Sequence, residues 1–273
     1  METFQLSEKL LKKIANLILA KKNTPLKKIV KDIHFADMAE IINELNEDQG
    51  VYLIKLFDSE KTSEILTELD EDVREKILKV LSVKEIADEI EELDSDDAAD
   101  ILGELSEKRK EEVISEISDN NLADDLKELL SYKEDSAGGL MAKELVQANE
   151  NWSVTKCLKE IKKQGENVTR VHSIYVVDDK QKLIGRLSLK DLITSPAKNL
   201  IKDIYIPKVD SVNVFEDGEE VAKIMSKYDL EAIPVVDNKK QLVGRITIDD
   251  IIDFIKEEAE EDYLLAAGVQ GDV

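Results

Sequence analysis

The chain has 273 residues, with 61 Asp and Glu against 38 Lys and Arg and a formal net charge of −23. That balance repels nucleic acid and anionic lipid and argues against a nucleic-acid partner. The length suffices for about two ordinary domains, and a 42% hydrophobic content lets each build a core. Cys157 is the only cysteine, which excludes an intrachain disulfide and fits a reducing cytoplasm. With only His34 and His172 beside it, a His-rich zinc site is also excluded. No run approaches the ~18 consecutive apolar residues of a membrane helix. The first twenty residues lack a signal peptide's apolar core and cleavage site. The polypeptide as given is therefore expected to be soluble.

Residues 1–33 hold eight Lys against Glu2, Glu8 and Asp32. Leu6, Leu10, Ile14 and Leu17 recur at helical spacing and predict one or two amphipathic helices. A basic membrane-surface helix is one reading, and a cap on the next domain is the simpler one. Residues 34–130 reverse the charge, with 31 acids and 10 bases. Within them MAEIINEL (38–45), TSEILTEL (62–69) and IADEIEEL (86–93) sit 24 residues apart, and EEVISEIS (111–118) continues the series. Asn46, Asp70 and Asp94 share that spacing, as do Asp48, Asp72 and Asp96. Asn or Asp before an apolar-periodic run marks a helix start. Each unit thus reads as two short helices, and stacked units supply the core that one unit lacks.

From about residue 132 the texture changes at Gly138 and Gly139. SIYVVDDKQKLIGRLSLKDLI (173–193) then matches AIPVVDNKKQLVGRITIDDII (232–252) at an offset of 59. Each copy reads as strand, turn, strand, helix, preceded by a helical segment, Val154–Lys162 or Glu219–Lys227. This β-β-α unit, ending in h-h-G-R-h-[ST]-h-x-D-h, resembles the cystathionine-β-synthase-type (CBS) module, and two copies resemble a tandem CBS pair. The resemblance implies clefts that take adenosine nucleotides such as ATP or AMP, with Ser188 and Asp191, and Thr247 with Asp250, at ribose or phosphate. The residues also allow a plainer reading, in which Ser188 and Thr247 cap the following helix.

The acidic helical repeat, EDSAGGLM (134–141), the CBS-like pair and the acidic EEAEEDY (257–263) together resemble the cytoplasmic half of MgtE-type magnesium transporters. The expected fold is α+β multidomain: an all-α superhelical repeat domain (1–131), a tandem CBS pair (132–255) and the start of a connecting helix (256–273). The resemblance implies a regulatory module that senses Mg²⁺, is dimeric through its CBS pairs, and closes a membrane-embedded pore of the same full-length protein at the inner-membrane face. The sequence stops about where the connecting helix would run, so a piece cut before the membrane is expected. No Ser-His-Asp set, P-loop or zinc motif is present, and an enzyme is not expected.

Mg²⁺ takes hard oxygen ligands in octahedral geometry and keeps several waters. On the helical domain, Asp96 and Asp100 share one helix face, an arrangement of like charges that destabilises a helix unless neutralised. The resemblance adds Glu64 one repeat earlier. In the second CBS module Asp250 and Asp253 share a face, with Asp229 and Glu219 expected nearby and the carbonyl of Gly138 or Gly139 added by resemblance. Glu258 and Glu261 form a terminal pair, interrupted by Lys256. These acids read equally as solvated surface and helix starts. Asp250 is claimed both as ribose ligand and as metal ligand, which favours the Ser188/Asp191 side for a nucleotide. Two other functions stay open: an adenosine-nucleotide energy sensor with Mg²⁺ incidental, and a ligand-free helical scaffold.

Overall fold

The structure is a computed structural model that describes residues 4–168 and 170–266; the side chains of 167, 260–262 and 264–266 are outside the description. The chain divides into two compact units. The first holds the chain up to Leu93 with Asp97–Asp124, and the second holds Asp94–Asp96 with the chain from Asp125 onward.

The helical part begins with α1 (Glu8–Leu19) and α2 (Asn23–Val30). Paired short helices follow: α3 (Phe35–Asn43) and α4 (Glu47–Ile54), α5 (Ser59–Thr67) and α6 (Glu71–Val80), α7 (Val83–Ile90) and α8 (Ser95–Gly103), then α9 (Glu107–Glu116) and α10 (Asn120–Leu129). The starts follow side-chain chemistry. Asn46 Oδ1 accepts from the Gln49 amide at 3.1 Å, Asp58 from Lys61 at 3.2 Å, and Ser82 with Glu85 forms a reciprocal capping box. Asp70 occupies the expected cap position of α6, but its side chain makes no cap hydrogen bond. The repeated apolar positions are buried: Ile41, Ile65 and Ile42, Leu66, Ile90 are each at most 1% exposed.

Cations fasten successive repeats. Lys61 Nζ donates to the Ile33 carbonyl at 2.8 Å, closing the open end of the chain after α2. Arg109 does the same to Leu81, and both residues and both carbonyls lie two 24-residue periods apart. The intervening position, Glu85, caps its own helix and accepts from Lys55 at 3.1 Å. Arg74 reaches the Leu66, Thr67 and Leu69 carbonyls at 3.1–3.3 Å and pairs with Glu104. Cations suit these carbonyls because a helix C-terminus carries partial negative charge and unpaired acceptors.

One buried acid has no such relief. Burial, followed by the charges of Asp88, Glu92, Glu85 and Asp58, pushes the half-buried Glu89 carboxyl from 4.5 up to about 8. Because that value lies above the unfolded one, the protonated group contributes stability that is complete below about pH 4.5 and is lost as the pH rises to about 8. Glu89→Gln is expected to raise the melting temperature at pH 8 and to leave it unchanged at pH 4, which thermal scans at the two pH values would check.

In the second unit, β1 (Val146–Asn149), β2 (Ile174–Val177), β3 (Leu183–Leu187) and β4 (Ile206–Pro207) form one sheet in that order. β5 (Val212–Asn213), β6 (Ala232–Val236) and β7 (Leu242–Thr247) form another. In each, a parallel pair is joined by a helix, α11 (Val154–Gln164) or α13 (Gly218–Lys227), and an antiparallel hairpin follows. The helices α12 (Leu189–Thr194) and α14 (Ile248–Ala266) leave the hairpins. The hairpin turns are copies: Gln181 and Lys240, 59 apart, both take a left-handed backbone with φ of 62° and 65°. The turns also pair with each other, Leu183 donating to Lys240 and Leu242 to Gln181. β1, β4 and β5 were not anticipated. The expected β-β-α unit is thus completed by a leading parallel strand in each module.

Candidate metal and nucleotide sites

At the start of α8, Ser95 is fully buried and Asp96 is 9% exposed. The Ser95 amide and hydroxyl both donate to Glu144 Oε2, at 3.1 and 2.8 Å, and the Lys143 amide donates to Ser95 Oγ at 2.8 Å. Beside them Arg245 is 5% exposed. Its Nε donates to the Glu144 carbonyl and its Nη2 lies 3.8 Å from Asp94 Oδ2. Burial raises the Asp94 carboxyl; Glu144, Asp250 and Asp249 add to the rise, and Arg245 opposes it. One buried guanidinium thus sits among Asp94, Glu144, Asp249 and Asp250, a concentration of carboxylate in which a second cation is electrostatically favoured. Asp100 is exposed one turn further along α8.

Asp250 is half-buried, and its Oδ2 accepts from the Thr247 amide at 3.0 Å and the Thr247 hydroxyl at 2.6 Å. Thr247 Oγ1 is also in hydrogen-bond range of Asp249, but a hydroxyl has one proton and serves one carboxylate at a time. Burial raises the Asp249 carboxyl, yet hydrogen bonds from Thr247 and its own amide and the charges of His172 and Arg170 outweigh it and leave it below its ordinary value. Asp253 is exposed and paired with Lys256 at 2.6 Å. Glu219, in the first turn of α13, pairs with Lys223 at 3.1 Å. Asp229 is exposed just beyond that helix, with φ of 51°.

The Gly138–Gly139 turn is pinned to the start of α13: Ala137 donates to the Glu216 carbonyl, Gly138 to Val214 and Gly218 to Asp135, each at 2.8 Å. A Cβ on Gly218 would lie 2.7 Å from the Phe254 ring, so α14 reaches the same place one residue beyond Asp253. The fold therefore gathers Gly138, Gly139, Glu219 and the Asp253 turn. Glu64 is exposed on α5 at a cleft of about 240 Å³ with His34, Asp58 and Glu60. Glu258 is half-buried on α14, and the Glu261 side chain lies outside the described residues. Among the described residues no three His, Cys, Asp or Glu side chains group closely enough to hold a metal unaided. The donor set is carboxylate and carbonyl oxygen, which suits a hydrated Mg²⁺ that binds through water.

In the first module Ser188 caps α12, accepting from the Asp191 amide at 3.0 Å and donating to Asp191 Oδ2 at 2.7 Å. The Thr247–Asp250 pair repeats the hydroxyl-to-carboxylate bond 59 residues later, so in both modules the hydroxyl and the carboxylate are engaged with each other in this structure. The same unit holds buried polar atoms with no partner among the described residues: His172 Nδ1, Tyr175 Oη and Arg245 Nη1. Burial pushes the Tyr175 hydroxyl up to about 12, with Arg245 and Arg186 opposing. Burial, then Arg245 and Arg170, holds His172 below its ordinary value. Sequence reasoning missed Asp94, Glu144 and Arg245. Asp94 read as a repeat cap and Arg245 as part of the module signature, while Glu144 carried no signal.

Residues 33–135 match the MgtE intracellular N domain, and residues 137–198 and 201–257 each match the CBS domain. Over 131 residues the chain is 42% identical to the magnesium transporter MgtE of Thermus thermophilus, and over 140 residues it is 40% identical to that of Enterococcus faecalis. These matches cover 48% and 51% of this chain but only 29% and 31% of the relatives' length. Among solved structures, the cytosolic domain of the Mg²⁺ channel MgtE in complex with ATP superposes with a TM-score of 0.82 at 30% identity, over 89% of this chain and 99% of that one. The soluble part of a magnesium transporter gives 0.77 at 29% identity, over 92% and 99%. No described helix is long and apolar enough to cross a membrane. With an MgtE N domain of stacked helices followed by two CBS modules, this chain belongs to the MgtE magnesium transporter family.

Proposed function

We propose that the chain is the Mg²⁺-sensing cytosolic regulatory region of a magnesium transporter, acting at the inner face of the membrane on a pore in the same full-length protein. The observation that carries this reading is the crowding of Asp94, Glu144, Asp249 and Asp250 around one buried arginine. The surrounding sequence adds charge of the same sign, eight acids against Lys256 in residues 249–262. Bringing such surfaces together costs about 4 kcal/mol per charge pair at ~4 Å and an effective dielectric of ~20. Divalent ions between them convert that repulsion to attraction, so high Mg²⁺ favours the closed state and low Mg²⁺ the open one. The carboxylates proposed to take part are Asp96, Asp100, Asp250 and Asp253, with Glu64, Asp229, Glu219, Glu258, Glu261 and the Gly138 or Gly139 carbonyl. Small-angle scattering across a Mg²⁺ titration, with Na⁺ at matched ionic strength, is expected to show a falling radius of gyration with Mg²⁺ alone. Identical curves in chelator and in saturating Mg²⁺ would end this reading.

A homodimer through the CBS pairs belongs to the same proposal. Ile193 on α12 and Ile252 on α14 occupy equivalent positions and are 64% and 46% exposed, an apolar face suited to a matching copy.

A second reading is supported by the ATP complex of the similar cytosolic domain. Here the nucleotide would take the Ser188/Asp191 cleft, because Asp250 is claimed by the metal. Asp191→Ala is expected to weaken ATP binding about tenfold or more by removing a charged acceptor for the ribose, and Asp250→Ala to leave it within about twofold. Calorimetry would decide; the opposite ranking would move the nucleotide to the second cleft.

A further inference from the structure

The longest acid-free stretch of this acidic chain lies near its beginning, with eight lysines in residues 9–31, and the fold leaves that charge facing outward. All eight lysines of residues 1–33 are exposed, while the apolar stripe of α1 is used internally, Ile14 and Ile18 being 0% and 6% exposed. Lys9, Lys12, Lys13 and Lys22, with Leu17 and Ala20, line an open groove of about 730 Å³ along α1. Among the described residues only Lys12 has an acidic partner, Glu8 at 2.8 Å. Leu19, the last residue of α1, is 72% exposed two residues before Lys21.

We propose that this groove and the lysines of α1 and α2 form a docking surface for anionic phospholipid headgroups. Charge complementarity selects an anionic occupant, and the exposed Leu19 beside the lysines is suited to the headgroup boundary of a bilayer. The global charge of −23 does not prevent this. Screening limits each charge to about 10 Å at 0.1 M salt, so a local patch attracts a surface that the rest of the chain avoids. The consequence is orientational: an acidic protein can approach an anionic bilayer by this one edge. The inference relies on the proposed function only for the nearness of a membrane, and the experiment supplies the membrane itself.

The test is co-sedimentation of the chain with phosphatidylcholine vesicles, with and without about 30% phosphatidylglycerol, at low salt in chelator. Binding to the anionic vesicles alone, lost at high salt, is expected. Each lysine at an anionic surface contributes about fivefold. Lys9→Gln, Lys12→Gln, Lys13→Gln and Lys22→Gln combined should therefore lower partitioning by about a hundredfold or more. Leu19→Ser should lower it by a smaller factor, about threefold. These exposed sites leave folding intact, which an unchanged melting curve checks. No sedimentation with anionic vesicles, or equal sedimentation of the fourfold variant, would overturn the proposal. Vesicle-free self-association that the fourfold variant abolishes, without vesicle binding, would overturn it too and assign the groove to the acidic face of a second copy.

Discussion

Alanine at both Asp96 and Asp100 is expected to flatten the Mg²⁺ response of the scattering curve from both ends. Without Mg²⁺ the variant should be more compact than the parent, because two like charges on one face of α8 are gone. At saturating Mg²⁺ it should be less compact, because the bridging ions lose ligands. The Mg²⁺ concentration at half-response should rise about tenfold or more, since each displaced carboxylate contact with a divalent ion is a charge-assisted interaction. Asp96 is 9% exposed, so its removal can perturb the start of α8. The single variant Asp100→Ala, at an exposed position, separates ligand loss from damage to the fold. Both variants compacting like the parent at saturating Mg²⁺ would remove these residues from the sensor.

Gly139→Ala is expected to cost about 1–3 kcal/mol of stability through overpacking. A Cβ there would stand 2.4 Å from the Lys133 carbonyl oxygen and 2.7 Å from that of Glu134. Those are backbone atoms, which cannot rotate aside. The turn would have to open, and the hydrogen bonds that pin it to Val214, Glu216 and the start of α13 would weaken with it. Gly103→Ala is the control, for its Cβ would meet nothing within 4 Å. It should be neutral or stabilising by up to about 1 kcal/mol, since alanine reduces the freedom of the unfolded chain. Urea denaturation of the two variants would show the contrast, and equal midpoints would mean the 133–140 turn tolerates a side chain.

The parts of the fold that repeat were legible in the sequence. Both the 24-residue and the 59-residue periods set apolar residues on the faces that are buried, because stacking one unit on a copy of itself imposes the same pattern each time. β1, β4 and β5 escaped detection because they are two to four residues long, too short for alternation to show. The spacing of the two leading strands also departs from the module offset: Ala148 and Val212, which pair with Val176 and Val235, are 64 apart rather than 59. Of the acids around Arg245 the sequence singles out Asp250 alone, and neither Asp94 and Glu144 nor the counter-ion is legible there as a site. Arg245 aligns with Arg186 in the repeat, yet Arg186 is exposed and Arg245 is buried. What separates them is the 142–144 segment, which bridges to Arg245 through Ala142, and the 94–96 segment, and no local pattern announces either. Glu144 was invisible for the same reason, since its partner Ser95 lies 49 residues away.

The fastening of the helical array by Lys61 and Arg109 bears on how it would come apart under load. The two clasps recur every second unit, with the position between them given to an acid that holds only its own helix and one lysine. A chain drawn out from its ends would meet a carbonyl clasp at every second unit and the Arg74–Glu104 tie between them. Its extension trace should then advance one repeat at a time, with the height of the steps alternating between the two kinds of tie.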